Sequence, residues 1–200
     1  MSSPGQFPQQ RVGVFVDVQN MYYSARALYS KKVNFKKILE SAVGKRHLVR
    51  AIAYGITTEE AHEGDFHQAL SDQGFEVRTK PLQTFAGGQK KGDWDVGIAM
   101  DVLQLEPKID VAVLVSGDGD FIPLVEFSQR KGLRMEGMGF RSSTSGALVE
   151  SVDSFTDLSE NTRKFLIADS SAKRPARRNT PTPRKSSSSA RPRRTPKILS

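Results

Sequence analysis

The chain has 200 residues, 37% of them hydrophobic, no cysteine and a net charge of +8. That length fits one compact domain able to bury roughly two thirds of its unfolded surface, with an appendage, and the missing cysteines exclude disulfides and thiolate zinc sites. His47, His62 and His67 lack metal-ligand spacing, "MSSPGQFPQQ" has neither the charged nor the apolar part of a signal peptide, and no apolar run reaches membrane-spanning length, so the chain reads as cytoplasmic with no membrane partner.

In chain order, "RVGVFVD" (11–17) reads as the first strand, followed by helical patterns in "MYYSARALY" (21–29) and "FKKILESAV" (35–43). The strand "LVRAIAYG" (48–55) leads into a helix over "EEAHEGDFHQALSDQ" (59–73), with Thr57 or Thr58 as its cap, and then the strand "FEVRT" (75–79). After a glycine-bearing loop come the helix "WDVGIAMDVLQL" (94–105), the strand "VAVLVS" (111–116), the helix "FIPLVEFSQRK" (121–131) and the strand "LRMEGMGF" (133–140). Gly74 and Gly132 stand where helix C-terminal glycines belong, each ahead of a strand. Strands alternating with helices imply a parallel sheet covered on both faces.

Charge divides the chain. All 22 acidic residues fall at or before Asp169, whereas ten of the 30 Lys and Arg lie in residues 170–200, leaving 20 cations against 22 acids in the first 169. The expected organisation is a disordered N-terminus over 1–10, a folded domain over 11–168 and a disordered Arg/Lys/Ser/Pro-rich tail over 169–200.

The apolar run in "VAVLVSGDGDF" stops on Asp118 and Asp120, residue types that resist unpaired burial. In open parallel sheets, ligands sit beyond the carboxyl ends of the strands, where the winding reverses. Asp17 ends the first strand and Asp118 follows the fourth, so if those strands are neighbours at the reversal their carboxylates converge. Asp95 opens a helix, and Asp101, six residues on, is turned by about 240° around it, so the two cannot share a face. Asp95 is the favoured ligand of the pair, Asp101 an outer or structural group, Asp120 a ligand directly or through water, and Asp93 the weakest member. Clustered carboxylates repel one another unless a hard cation neutralises them, which suits Mg²⁺ or Mn²⁺. Metal-assisted attack of water on a phosphodiester is the chemistry such a site supports. Each acid alone also reads as a helix cap, but four at one end of a sheet exceed what capping requires. A haloacid-dehalogenase phosphatase would need aspartate where Gln19 stands, and no P-loop occurs.

"VGVFVDVQN", "KKGDWDVGIAMD", "VLVSGDGDFIPLV" and "VDSFTDL" together resemble the NYN domain, in its LabA-like branch, within the PIN-like ribonuclease superfamily. The resemblance runs in order and spacing from about Arg11 to Leu158 and leaves out the tail. It implies a three-layer α/β/α Rossmann-like (PIN-like) fold with a central mostly parallel sheet, an acidic pocket binding Mg²⁺ or Mn²⁺, and cleavage of RNA. Carried onto this chain, it implies metal-pocket roles for Asp17, Asp95 and Asp118, with Asp101 and Asp120 supporting. Asn20 matches the family's D-x-x-N element and would position the attacking water or a phosphate; Ser116 opens the "SGDGDF" loop.

RNA would be held by Lys90 and Lys91 in "TFAGGQKKGDW" and by Arg26 on the first helix, with Trp94, Tyr22 and Tyr23 offering rings that suit base stacking or packing. The tail would bind polyanions. The expected function is therefore that of a metal-dependent ribonuclease. The alternative is a non-catalytic RNA-binding or regulatory module of the LabA-like type, in which the same fold recognises RNA or a protein partner as a homo-oligomer.

Overall fold

The computed structural model describes residues 7–57, 63–84, 90–91 and 93–167, with the backbone alone at Glu63, Gln83, Thr84, Lys90 and Lys91. The first half runs β1 (Arg11–Asp17), α1 (Val18–Tyr29), β2 (Lys32–Val33), α2 (Phe35–Val43), β3 (His47–Thr57), α3 (Glu63–Asp72), β4 (Glu76–Pro81), β5 (Gln83–Thr84) and β6 (Lys90–Lys91). The second runs α4 (Asp95–Leu105), β7 (Val111–Val115), α5 (Ile122–Arg130), β8 (Arg134–Gly139), α6 (Gly146–Ser151), β9 (Ser154–Asp157), α7 (Thr162–Phe165) and β10 (Leu166–Ile167). The expectations for Thr58, for the loop over 85–89 and for the tail over 169–200 fall outside the described residues.

Six strands form one sheet in the order β4-β3-β1-β7-β8-β9, and every pairing in it is parallel. Its central strands explain their own sequences. In β7 all five residues are buried, because consecutive side chains enter opposite layers. Val111, Val113 and Val115 join Val12, Val14 and Val16 of β1 under α1 and α2, where Met21, Ala25, Ile38 and Ala42 close the layer. Ala112 and Leu114 join Phe15 on the other face, beneath Ile98 and Val102 of α4 and Leu124 and Val125 of α5. The result is a three-layer α/β/α domain, each buried aliphatic or aromatic side chain contributing roughly 1.5–3 kcal/mol.

Gly74 and Gly132 end α3 and α5 with φ of +97° and +92°, the left-handed conformation expected of helix C-terminal glycines. Thr57 is not the cap of α3, because it lies within β3, paired with Pro81. Strand β9 and helices α6 and α7 are additions to the expected elements, each of four to six residues. A buried ion pair joins the two halves of the sheet. Arg46, whose side chain is 1% exposed, donates to both carboxylate oxygens of Glu136 on β8 at 3.0 and 2.9 Å.

Candidate functional site

From β1 the chain builds outward through β3 to β4, returns across the sheet, and builds outward the other way from β7 through β8 to β9. The reversal therefore lies between β1 and β7, and both strands point their carboxyl ends at the same crevice. Asp17 is the last residue of β1, and Asp118 lies three residues beyond the end of β7.

Hydrogen bonds tie the two loops into one structure. Asp17 Oδ1 accepts from the backbone N–H of Asn20 at 3.0 Å, capping α1. The hydroxyl of Ser116, fully buried, donates to Asp17 Oδ2 at 3.4 Å and accepts from the N–H of Asp118 at 3.2 Å. Asn20 Oδ1 accepts from the N–H of Gly117 at 3.0 Å, and Asp118 Oδ1 accepts from the N–H of Asp120 at 2.9 Å. Capping is thus real at Asp17 and Asp118, but it engages only part of each carboxylate. Gly117 is required by close approach, since a Cβ there would stand 2.7 Å from the carbonyl oxygen of Ser143.

Asp95, Asp118 and Asp120 each offer a carboxylate oxygen within 4.8 Å of the others. Asp95 is the first residue of α4, so it enters the cluster from a different element than Asp118 and Asp120. Burial, followed by the negative charges of Asp118, Asp93 and Asp120, pushes the Asp95 carboxyl above the usual carboxylate range. Asp17 lies outside this trio but in the same cleft, a space of about 350 Å³ lined also by Asn20, Tyr23, Trp94, Asp95 and Asp118. Burial dominates in pushing Asp17 up to about 6, against the hydrogen bonds from Asn20 and Ser116 that favour its charge.

Asp101, expected to support the pocket, is placed elsewhere. It is buried and takes a hydrogen bond from the Tyr54 hydroxyl at 2.7 Å and an ion pair from Arg78 at 2.6 Å. Both oxygens are occupied, and the helical rotation separating it from Asp95 directs it toward β3 and β4 instead. Burial and the bond to Asp101 raise the Tyr54 hydroxyl far above its ordinary value.

Trp94 belongs half to the core and half to the cleft. Its indole N–H donates to the carbonyl of Gly55 at 2.7 Å, its ring packs on Tyr54 at 5.4 Å, and Gly97 gives it room, since a Cβ there would meet the ring at 2.6 Å. Lys80, at the carboxyl end of β4, holds its ammonium 4.9 Å from the Trp94 ring and lowers the Asp95 carboxyl. Sequence reasoning missed Lys80, although its position at a strand's carboxyl end was the available signal. Tyr23 and Asp93 line the cleft, while Tyr22 and Arg26 are exposed on α1 beyond it. The backbones of Lys90 and Lys91 pair with Gln83–Thr84 in a small antiparallel ladder.

Among the described residues, no helix is long and apolar enough to cross a membrane. A crystal structure of a protein of unknown function from Vibrio parahaemolyticus superposes with a TM-score of 0.74 at 34% identity, covering 84% of this chain and all of that one. The low amplitude and bright protein LabA of Synechococcus elongatus is 26% identical over 168 residues, 80% of this chain and 89% of that protein. The model of the NYN domain matches residues 11–159, spanning β1, the acid-bearing loops and β9, and on that match the chain belongs to the NYN domain family.

Proposed function

We propose that the protein is a divalent-metal-dependent ribonuclease that hydrolyses phosphodiester bonds over Asp95, Asp118 and Asp120. The observation carrying this reading is the convergence of three carboxylates, from two separate elements, to within 4.8 Å at the reversal point of a parallel sheet. Membership of the NYN family, within the PIN-like nucleases, supports it.

The donor set fits Mg²⁺ or Mn²⁺: the donors are hard oxygens, crowded enough that neighbouring negative charge adds to burial in raising Asp95. Such an ion, when bound, supplies Lewis-acid polarisation of the phosphate and water of lowered pKa. Asp95, Asp118 and Asp120 would hold it. Asp17, at about 6, is tuned close to neutrality and would take a proton from the attacking water in the cleft. Because Gly117 N–H holds the Asn20 oxygen, the amide nitrogen of Asn20 remains to donate to a phosphate oxygen at the cleft wall. Ser116 positions Asp17 against the Asp118 backbone. Lys90, Lys91, Arg26 and the basic tail would bind the RNA backbone.

The test compares wild type with Asp118→Asn on end-labelled single-stranded RNA in Mn²⁺, Mg²⁺ and EDTA, with a binding titration on the same preparations. Cleavage that requires metal and falls by roughly a hundredfold or more in the variant is the expected result. RNA binding by both proteins with no cleavage by either would refute the nuclease reading and leave an RNA-binding module.

A further inference from the structure

We propose that the groove between α4 and α5 is a nucleobase subsite, taking the base next to the phosphodiester held at the acid cluster. This rests on the ribonuclease reading and adds to it where the strand runs. The groove encloses about 390 Å³ and has an apolar lining that includes Val96, Ala99, Leu103, Leu124 and Phe127, with Asp95 and Asp120 at one end. Those two aspartates also belong to the three-carboxylate cluster, so the groove and the candidate catalytic position share a wall.

Apolar side chains on this rim are exposed well beyond what packing explains. Val96 is 76% exposed and Phe127 45% exposed, and Met100 lies one turn from Val96 on α4, itself 51% exposed. The chemistry of the walls selects the occupant. A phosphate entering the groove would pass carboxylates and meet no donor, whereas an uncharged planar base buries apolar area and stacks on the Phe127 ring. Lys131 stands 5.7 Å from that ring with its ammonium paired to Glu106 at 2.7 Å, so its charge is already balanced and an uncharged base is the better-matched occupant of the ring's other face.

On the other side of Asp95 lies the polar cleft with Tyr23 and Trp94. A single strand crossing the acids therefore meets aromatic side chains before and after the scissile bond. Specificity for single strands follows, because a base can enter the groove only when unpaired.

The experiment uses the full-length protein with Phe127→Ala and Phe127→Trp, and a short single-stranded oligoribonucleotide as probe. Binding is measured by gel shift in EDTA at roughly 0.2 M salt, where phosphate-only affinity is weakened, and cleavage kinetics are measured in Mn²⁺. Phe127→Ala is expected to raise Kd and KM about fivefold or more, the loss of one stacked base, with kcat within about twofold. Phe127→Trp should retain wild-type values. A scan of single abasic positions should find one where wild type loses affinity and Phe127→Ala loses nothing further. Equal Kd and KM for wild type and Phe127→Ala would overturn the subsite while leaving cleavage intact. A wild type that does not cleave overturns the nuclease reading instead, and the Kd comparison in EDTA still decides the subsite.

Discussion

Replacing Asp17 by asparagine should make the protein more stable and less active at once. Asparagine caps a helix as well as aspartate does, so the bond from the Asn20 N–H that starts α1 survives the change. What disappears is a charge that the fold holds at a cost. The folded carboxyl titrates near 6 and the unfolded one near its ordinary 3.8, so between those values the folded state binds more protons. Stability then falls as pH rises through that window. At 1.36 kcal/mol per pH unit, the full effect approaches about 3 kcal/mol above pH 6.

Urea unfolding in EDTA, compared at about pH 4.5 and about pH 7.5, reads this directly. The variant should gain up to about 3 kcal/mol over wild type at the higher pH, or roughly 2–4 °C in Tm for each kcal/mol, and about a third of that at the lower. RNA cleavage should fall with it. A stability difference that is the same at both pH values would mean that Asp17 is ordinarily solvated, and the account of the cleft as a charge-strained site would be wrong.

Asp101→Asn should leave Mn²⁺ affinity within about twofold by calorimetry, whereas Asp95→Asn should weaken it more than about tenfold. The same Asp101→Asn change removes the anion facing Arg78 and Tyr54 and should cost about 1–3 kcal/mol of stability in urea unfolding. Glu136→Ala removes the counter-charge of the buried Arg46 guanidinium, leaving it only the carbonyls of Ala42 and Val43, and a loss of about 3–5 kcal/mol is expected, seen as a drop in Tm of roughly 10 °C. A loss below about 1 kcal/mol would show that Arg46 finds water or another acceptor.

The site was legible because its logic is local and positional. A run such as Val111–Val115 has only one use in an α/β chain, and once it is a central parallel strand, whatever follows it stands at the ligand end of the sheet. Helical rotation alone separated Asp95 from Asp101, and the structure keeps them apart. The sequence leaves Asp120 open between direct and water-mediated contact, since the bend of Gly119–Phe121 that brings its oxygen beside Asp95 has no periodic trace.

What stayed hidden is either short or long-range. Four residues of β9 carry too little pattern to register, and the β8 side chain that meets Arg46 is 90 positions away in sequence. The groove beside the acids was likewise unreadable. Val96 and Phe127 look like ordinary helix-surface residues until α4 and α5 are laid side by side.

The chain contains one tryptophan, and it borders the cleft. Ultraviolet emission excited at the red edge of indole absorption therefore comes from a single known place, bonded to Gly55 and packed between Tyr54 and the ammonium of Lys80. The protein carries its own optical probe, set beside the carboxylates. Cation or RNA entering the cleft changes the surroundings of that one fluorophore, so occupancy can be titrated on unlabelled wild-type protein without waiting for a bond to break.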